Sequence, residues 1–310
     1  MSEFKQPILV TGAHRSGTTW VGKMLTASGE AGYISEPLNI LHRPGVFRIP
    51  THYWYTYICT ENEDEYLAGL HETVAYRYHL GAEIRSLRSR KDVLRMGRDG
   101  SAFLSGRILR RRPLLKDPFA VFSARWFAQR LGCQVVILLR HPAAYVSSLK
   151  RLGWNFDFQD LLEQPLLMRD WLNPFRAEIE DCQASAGDLI TQGSLLWKCV
   201  YSVVEAYQRE NPGFILIRHE DLALDPATGF RILYNRLGLQ YTNRAQRTIR
   251  DSSSSENPQQ APLQLVHTTQ LASQSSLENW KNRLTSNEIA CISQITGELA
   301  ERLYPDWQGK

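Results

Sequence analysis

Three things are scarce in this 310-residue chain, and each scarcity excludes a class of protein. Cysteine occurs only at Cys59, Cys133, Cys182, Cys199 and Cys291, an odd and widely spaced set with no C-x-x-C pair. That pattern excludes a disulfide framework and a cysteine zinc site, and it fits a reducing compartment. Long apolar runs are missing as well: no stretch approaches the roughly 18 residues that a membrane span needs. Met1 to Gln6 do not have the make-up of a signal peptide, so the expectation is a cytoplasmic protein with no membrane partner. Charge of one sign is not in large excess either, with 36 Lys and Arg against 32 Asp and Glu. A net charge of +4 gives no sign of a nucleic-acid partner, yet it suits a small polyanionic ligand. What is present is ample apolar content, 43% of residues, enough for a sizeable core, and no internal repeat.

The most informative segment runs from Pro7 to Trp20. An apolar run leads straight into a glycine-containing loop and then a helix-forming stretch, the local plan of a phosphate-binding loop. Gly12 and Gly17 keep the G-x-x-x-x-G spacing of the nucleotide-triphosphatase loop, but Thr18 stands where its lysine belongs. That lysine normally reaches the β- and γ-phosphates, so its absence speaks against ATP or GTP chemistry. A cation appears inside the loop instead, at Arg15. The hydroxyls and backbone N–H groups of Thr18 and Thr19 are placed to meet anionic oxygens, beyond the plain helix-capping role such residues often have.

A second segment, Val135 to Ser148, begins as a buried strand and ends in Arg140. A triphosphatase would often carry a magnesium-associated aspartate there. An arginine at the strand end binds an anion, not a metal. Ser148 lies eight residues on, inside the helix that Pro142 would start, so Arg140 and Ser148 are placed to close on one phosphate from two sides.

With both segments in view, the chain resembles the sulfotransferases that use 3′-phosphoadenosine 5′-phosphosulfate (PAPS). Arg15-Ser-Gly-Thr-Thr19 matches that family's 5′-phosphosulfate loop, and Arg140 with Ser148 matches its 3′-phosphate pair. The resemblance covers the nucleotide half, roughly residues 5–35, 112–150 and 190–225. It implies PAPS as sulfuryl donor, PAP as product, no metal requirement, and a cofactor-binding set of His14, Arg15, Ser16, Gly17, Thr18, Thr19, Trp20, Arg140 and Ser148. It further implies that Arg15 stands beside the oxygen bridging phosphate and sulfate. Arginine keeps its proton, so Arg15 would stabilise the leaving group without acting as an acid.

Two further roles follow from the resemblance to the bacterial and tyrosylprotein-type members. Glu36, in Ile34-Ser-Glu-Pro37, matches their general base, and Lys116, in Leu114-Leu-Lys-Asp-Pro118, matches a lysine that neutralises the sulfuryl oxygens. The alternative base is a histidine, for which His14, His42, His52 and His141 are candidates by position. His219 and Glu220, in Arg218-His-Glu-Asp-Leu222, are read as structural. Relatives carry a basic triplet before a tryptophan in the loop that covers the adenosine. Here Trp280 is kept, but Ser273-Gln-Ser275 replaces the triplet. The run Ser252 to Ser255 is similar to serines that reach the cofactor in the tyrosylprotein enzymes.

The alternation of elements predicts an α/β protein: a three-layer P-loop nucleotide-binding fold with a central, mostly parallel sheet flanked by helices. Strands are expected at 7–12, 134–139 and 213–217, and helices at 18–28, 119–131, 143–151, 194–210, 226–237 and 285–303. The nucleotide motifs flank the middle of the chain, so a single domain over 1–310 is expected. Its phosphate-binding elements would lie near 7–28 and 134–151, a variable acceptor-binding region at about 37–112, and a cofactor-covering loop at about 252–281. Within these, 40–66 reads as a loop-rich cover and 252–276 as a long loop. The ten Lys and Arg of 85–112 read either as an anion-holding surface or as the polar face of helices.

The acceptor is expected to be a small molecule, aromatic or cationic, received through its hydroxyl or nitrogen. The motive is Tyr53-Trp-Tyr-Thr-Tyr57 followed by the acidic run Glu61 to Glu65, a pairing that suits stacking and cation–π contact but that core packing plus a solvated charge run would also explain. The alternatives are a glycan or peptide acceptor, a small-molecule P-loop kinase, and a nucleotide-binding protein without turnover.

Overall fold

The computed structural model describes residues 6–41, 43–185, 187–259, 270, 272–274 and 277–305. Its centre is a parallel sheet of strands β1 (Ile8–Gly12), β2 (Ala31–Ser35), β3 (Arg112–Lys116), β4 (Gln134–Leu139) and β5 (Ile215–Arg218), in the order β2-β3-β1-β4-β5. Side chains alternate across a strand, and each strand here sends its two sets into different cores. Leu9, Leu115, Val135, Ile137 and Leu139 join the core that includes the helices Ala124–Leu131, Pro142–Leu152, Leu189–Glu210 and Ser286–Leu303. Ile8, Val10, Leu114, Val136 and Leu138 join the core built with Thr18–Leu25, Pro226–Arg236 and Asn243–Ser253. Burial on both faces explains why these strands read as unbroken apolar runs. The protein is therefore a three-layer α/β fold, as expected.

All pairings are parallel and in register, so the strands finish along one edge. Gly12 lies opposite Leu138, Val10 opposite Lys116, Ser35 opposite Lys116, and Leu139 opposite Arg218. The connections that leave these ends carry the loop after Gly12, then Glu36, Asp117, Arg140 and His219. β1 is flanked by β3 on one side and β4 on the other, and the chain crosses over in both directions from it. Such a reversal of strand order opens a crevice at the carboxyl ends of the strands.

Several boundaries differ from the sequence reading, each for a local reason. The helix expected from 194 begins at Leu189, because the Asp188 side chain accepts from the N–H groups of Ile190 (2.8 Å) and Thr191 (3.1 Å) and caps it a turn earlier. The helix expected over 119–131 is a 3₁₀ turn, Pro118–Ser123, followed by the α-helix Ala124–Leu131. The cover at 40–66 ends where the helix Glu63–Val74 starts. The basic stretch is mostly the helix Arg90–Ile108, opened by a capping box between Ser89 and Asp92. Ser252 and Ser253 belong to the helix Asn243–Ser253, not to a loop. His42, Ser275 and residues 260–269, 271 and 276 of the covering loop lie outside the described residues.

Candidate active site

The loop after β1 needs its two glycines. Gly12 has φ +139°, and a Cβ there would sit 2.5 Å from the Leu138 carbonyl oxygen of the neighbouring strand. Gly17 has φ +99° and is the N-cap of the helix Thr18–Leu25, with no side chain capping it. A Cβ on Gly17 would meet His219 Nδ1 at 2.5 Å. The helix N-terminus is thus left with uncapped N–H groups aimed out of the loop, the arrangement that receives anions. Arg15 lies between the glycines at φ 67°, a left-handed conformation uncommon for a side-chain-bearing residue.

The two motifs, 125 positions apart, meet. The Arg15 Nε donates to Ser148 Oγ at 3.2 Å, and the Arg140 guanidinium donates to the Arg15 carbonyl. The Arg140 carbonyl in turn accepts from the Trp197 indole at 2.8 Å, which fixes the strand end. Both arginines line one cleft of about 870 Å³, together with Gly17, Thr18, Thr19, Trp20, Ser148, Arg151 and Arg283. Burial, and then the nearby Arg140 and Arg151, lower the pKa of Arg15 to about 10. Arg283 is lowered by burial and then by Arg151 and Arg140. Four guanidinium groups held close enough to repel one another stand ready for a multiply charged anion. Two buried polar atoms beside them, Ser16 Oγ and Arg140 Nε, have no hydrogen-bond partner among the described residues. An oxyanion in the loop would give them acceptors.

The sequence reading missed Arg151 and Arg283. Arg151 was within reach, since it lies three residues after Ser148 on the same helix face. Arg283 follows Trp280 by three residues, where the basic group had been sought before the tryptophan.

At the other side of β1, Glu36 sits just past the end of β2 with φ 47°, and its N–H donates to the Lys116 carbonyl at 2.8 Å. The Glu36 carboxylate accepts from the Lys116 ammonium and from Asn39 Nδ2 at 2.7 Å. Burial pushes the Glu36 carboxyl up, but the Lys116 charge and these hydrogen bonds outweigh it and hold the group below the usual glutamate value. Burial pulls the Lys116 pKa down, yet Tyr33 and Glu36 more than offset that and raise it. Glu36 lines the cleft, whereas Lys116 stands behind it.

The histidines divide by surroundings. His14 lines the cleft and its Nδ1 lies 2.6 Å from Tyr55 Oη, with burial and then Arg15 lowering its pKa to about 3. The His141 ring stacks on Trp280 at 5.4 Å, and the His141 backbone N–H donates to the Glu220 carboxylate at 3.0 Å. His219 packs on Trp20 and against Gly17, so it shapes the loop while Glu220 holds the turn after β4. Ser252 Oγ accepts from the Trp20 indole at 3.1 Å.

The far wall of the cleft is aromatic: Trp54, Tyr55, Phe119, Trp154 and Phe156. The acidic run expected beside it is elsewhere. Glu61 pairs with Arg169, and Glu63 accepts from the Trp126 indole (2.8 Å) and from Arg130 (2.7 Å). The carboxylates on this wall are Asp157 and Asp160, which sequence reasoning did not find. No helix among the described residues is long and apolar enough to cross a membrane.

A comparison with curated proteins gave no match. Solved structures similar to the chain include the sulfotransferase domain from the curacin biosynthetic pathway, at 15% identity and a TM-score of 0.48, covering 96% of this chain and 99% of that one. The sulfotransferase domain from the Synechococcus PCC 7002 olefin synthase is similar at 16% identity and a TM-score of 0.48, covering 99% and 98%. A mouse sulfotransferase, SULT7A1, complexed with PAP, is similar at 13% identity and a TM-score of 0.43, covering 97% and 89%. The model of the sulfotransferase family matches residues 7–243, which is well over half of the sequence, and the chain belongs to that family.

Proposed function

We propose that this protein transfers a sulfuryl group from PAPS to a hydroxyl or nitrogen of a small-molecule acceptor and releases PAP. The observation that carries this reading is the convergence of Arg15, Ser148 and Arg140 beside an uncapped helix N-terminus. The donor carries charge at both its 3′ and 5′ ends, and the residues present fit such a molecule. Ser16, Thr18, Thr19 and the loop N–H groups would hold the 5′-phosphosulfate, Arg140 and Ser148 the 3′-phosphate, and Trp20 the base. Ser16 Oγ and Arg140 Nε, unpartnered among the described residues, would both be satisfied.

In the reaction, the acceptor oxygen or nitrogen forms a bond to sulfur while the bond from sulfur to the bridging phosphate oxygen breaks. The electron pair stays on that oxygen, where Arg15 stabilises it. The acceptor's proton goes to the Glu36 carboxylate. A carboxylate held below its usual value is a weak base, which suits a proton that leaves late, once bonding to sulfur has acidified it. Protonating Glu36 loosens its hold on Lys116, whose charge then adds to the field around the sulfuryl oxygens. Positioning and charge stabilisation thus supply most of the acceleration, as in phosphoryl transfer.

The test is calorimetric titration with PAP, 5′-AMP and ATP with magnesium. PAP is expected to bind at least about tenfold more tightly than AMP, and Arg140→Ala should erase that margin. Tight binding of ATP with magnesium, indifferent to a 3′-phosphate, would replace this reading with a kinase.

A further inference from the structure

The acceptor wall holds a carboxylate that nothing in the donor chemistry uses. Trp54 packs on Phe119 with ring centroids 4.4 Å apart, and His14 lies 6.3 Å from both Phe119 and Trp154. Trp54, Phe119, Trp154, His14 and Asp160 all line the one cleft. The Trp54 backbone N–H lies close enough to the Asp160 carboxylate to pull its pKa down, so the charge sits beside the first ring of the wall.

The other carboxylates on the cleft are already committed. Glu36 is taken by Lys116 and Asn39. Asp157 accepts from the Gln159 N–H at 3.0 Å and from Gln183 Nε2 at 2.9 Å. Asp160 has no lysine or arginine at ion-pairing distance among the described residues, and its charged neighbours, Asp157 and Glu163, are of like sign. Burial and these neighbours push it up to about 6, against a hydrogen bond that pulls it down. A half-buried carboxylate in this position is relieved by a cation, and aromatic faces alongside favour the same cation. The arginines do not serve: Arg15 reaches Trp154, its guanidinium 5.7 Å from the ring centre, but no arginine pairs with Asp160 among the described residues.

We propose that the acceptor is a flat aromatic compound carrying a protonated amine, with its ring against Trp54, Phe119 and Trp154 and its ammonium on Asp160. This rests on the sulfotransferase reading, and it assigns that site its acceptor class and a specificity residue.

The experiment uses the full chain saturated with PAP, after PAP binding has been measured by itself. Three matched probes are titrated: tyramine, 4-ethylphenol and 3-(4-hydroxyphenyl)propionate, which share the phenol and differ in the charge at the far end. Tyramine is expected to bind at least about tenfold more tightly than 4-ethylphenol, with the propionate weakest. Asp160→Asn should remove the tyramine advantage while leaving the 4-ethylphenol and PAP affinities as they were. Trp54→Ala should weaken all three probes together. Equal binding of tyramine and 4-ethylphenol, no binding of any probe at millimolar concentration, or an advantage that survives Asp160→Asn would each overturn the proposal. Failure of PAP to bind would sink the donor reading separately, and the probe ranking would then be read on the nucleotide-free chain.

Discussion

On the function proposed above, the cleft has a donor end and an acceptor end, and the principal groups of the donor end come from positions at or just beyond the carboxyl end of a strand. Gly12 to Thr19 follow β1, Arg140 follows β4, and His219 follows β5, all anchored in a sheet buried on both faces. At the acceptor end, Phe119 follows β3, but Trp54, Trp154 and Asp160 come from connections distant in sequence, and ring packing holds Trp54 on Phe119. The first end has its geometry dictated by strand register, and it suits a donor whose charges never change. The second is assembled from segments free to vary while the sheet stays fixed, and it suits a part of the site that defines the acceptor. Arg15 joins the two: it bonds Ser148 on the donor side, and its guanidinium lies 5.7 Å from the centre of the Trp154 ring on the acceptor side.

The strongest test of this division is Glu36→Gln, which keeps the shape and removes the proton acceptor. General-base loss typically costs about 10²–10⁴ in rate, so kcat should fall in that range while the PAP affinity stays level. Steady-state kinetics beside a PAP titration reads both. A raised acceptor KM at unchanged kcat would instead assign Glu36 to the acceptor wall and leave the base to His14.

Next in size is Gly17→Ala. The left-handed backbone costs an ordinary residue about 1–2 kcal/mol, and the new Cβ would press on His219 at 2.5 Å. PAP affinity should drop at least about tenfold, while binding of an aromatic amine at the Asp160 end should hold. Equal loss at both ends would show that the cleft behaves as one unit and would break the comparison.

The donor end was legible in the sequence because its chemistry is local. Arg15, Thr18 and Thr19 stand in one loop, and Arg140 and Ser148 are separated by a single turn and a proline-started helix. Strands buried on both faces announced themselves as apolar runs, so β1, β4 and β5 were expected nearly where they stand. β2 and β3 carry Gly32 and Pro113 as their second residues, which breaks the apolar run at its start and hid them except as places where Glu36 and Lys116 would sit. The acceptor end was not legible, because nothing near Asp160 in sequence marks it. Its meaning comes from Trp54, more than a hundred residues earlier, and the acidic run at Glu61–Glu65 drew attention that belonged to Asp160. The helix Arg90–Ile108 had a readable start in Ser89 and Asp92, but its arginines obscured the apolar spacing behind them.

The smallest expected effect probes the joint beneath both ends. Asp117 is buried between them, accepting from the Leu38 N–H at 2.6 Å on one side and the Phe119 N–H at 3.0 Å on the other. Burial, and then the charge of Glu36, push its pKa up from 3.8 to about 7. A raised folded-state value means that the stabilising form is the protonated one. Its contribution is therefore complete below about pH 4 and is lost as pH rises through about 7. Glu36 has the opposite sign: its folded value is depressed, so its contribution is present above the ordinary glutamate range and fades only in stronger acid. Between pH 5 and 8 the Glu36 share is flat and the Asp117 share falls, by no more than about 3 kcal/mol and so by a few degrees in Tm. Asp160 and Glu220, both raised, add slopes of the same sign. His14, His141 and His219, lowered by burial to about 3, contribute with the opposite sign below about pH 6.5, so the Asp117 share is read by difference: from pH 5 to 8 the Asp117→Asn melt should fall less or rise more than the wild-type melt, while at pH 5 it changes little. A slope untouched by Asp117→Asn would mean that the carboxyl stays ionised throughout, and that Lys116 serves Asp117 as well as Glu36.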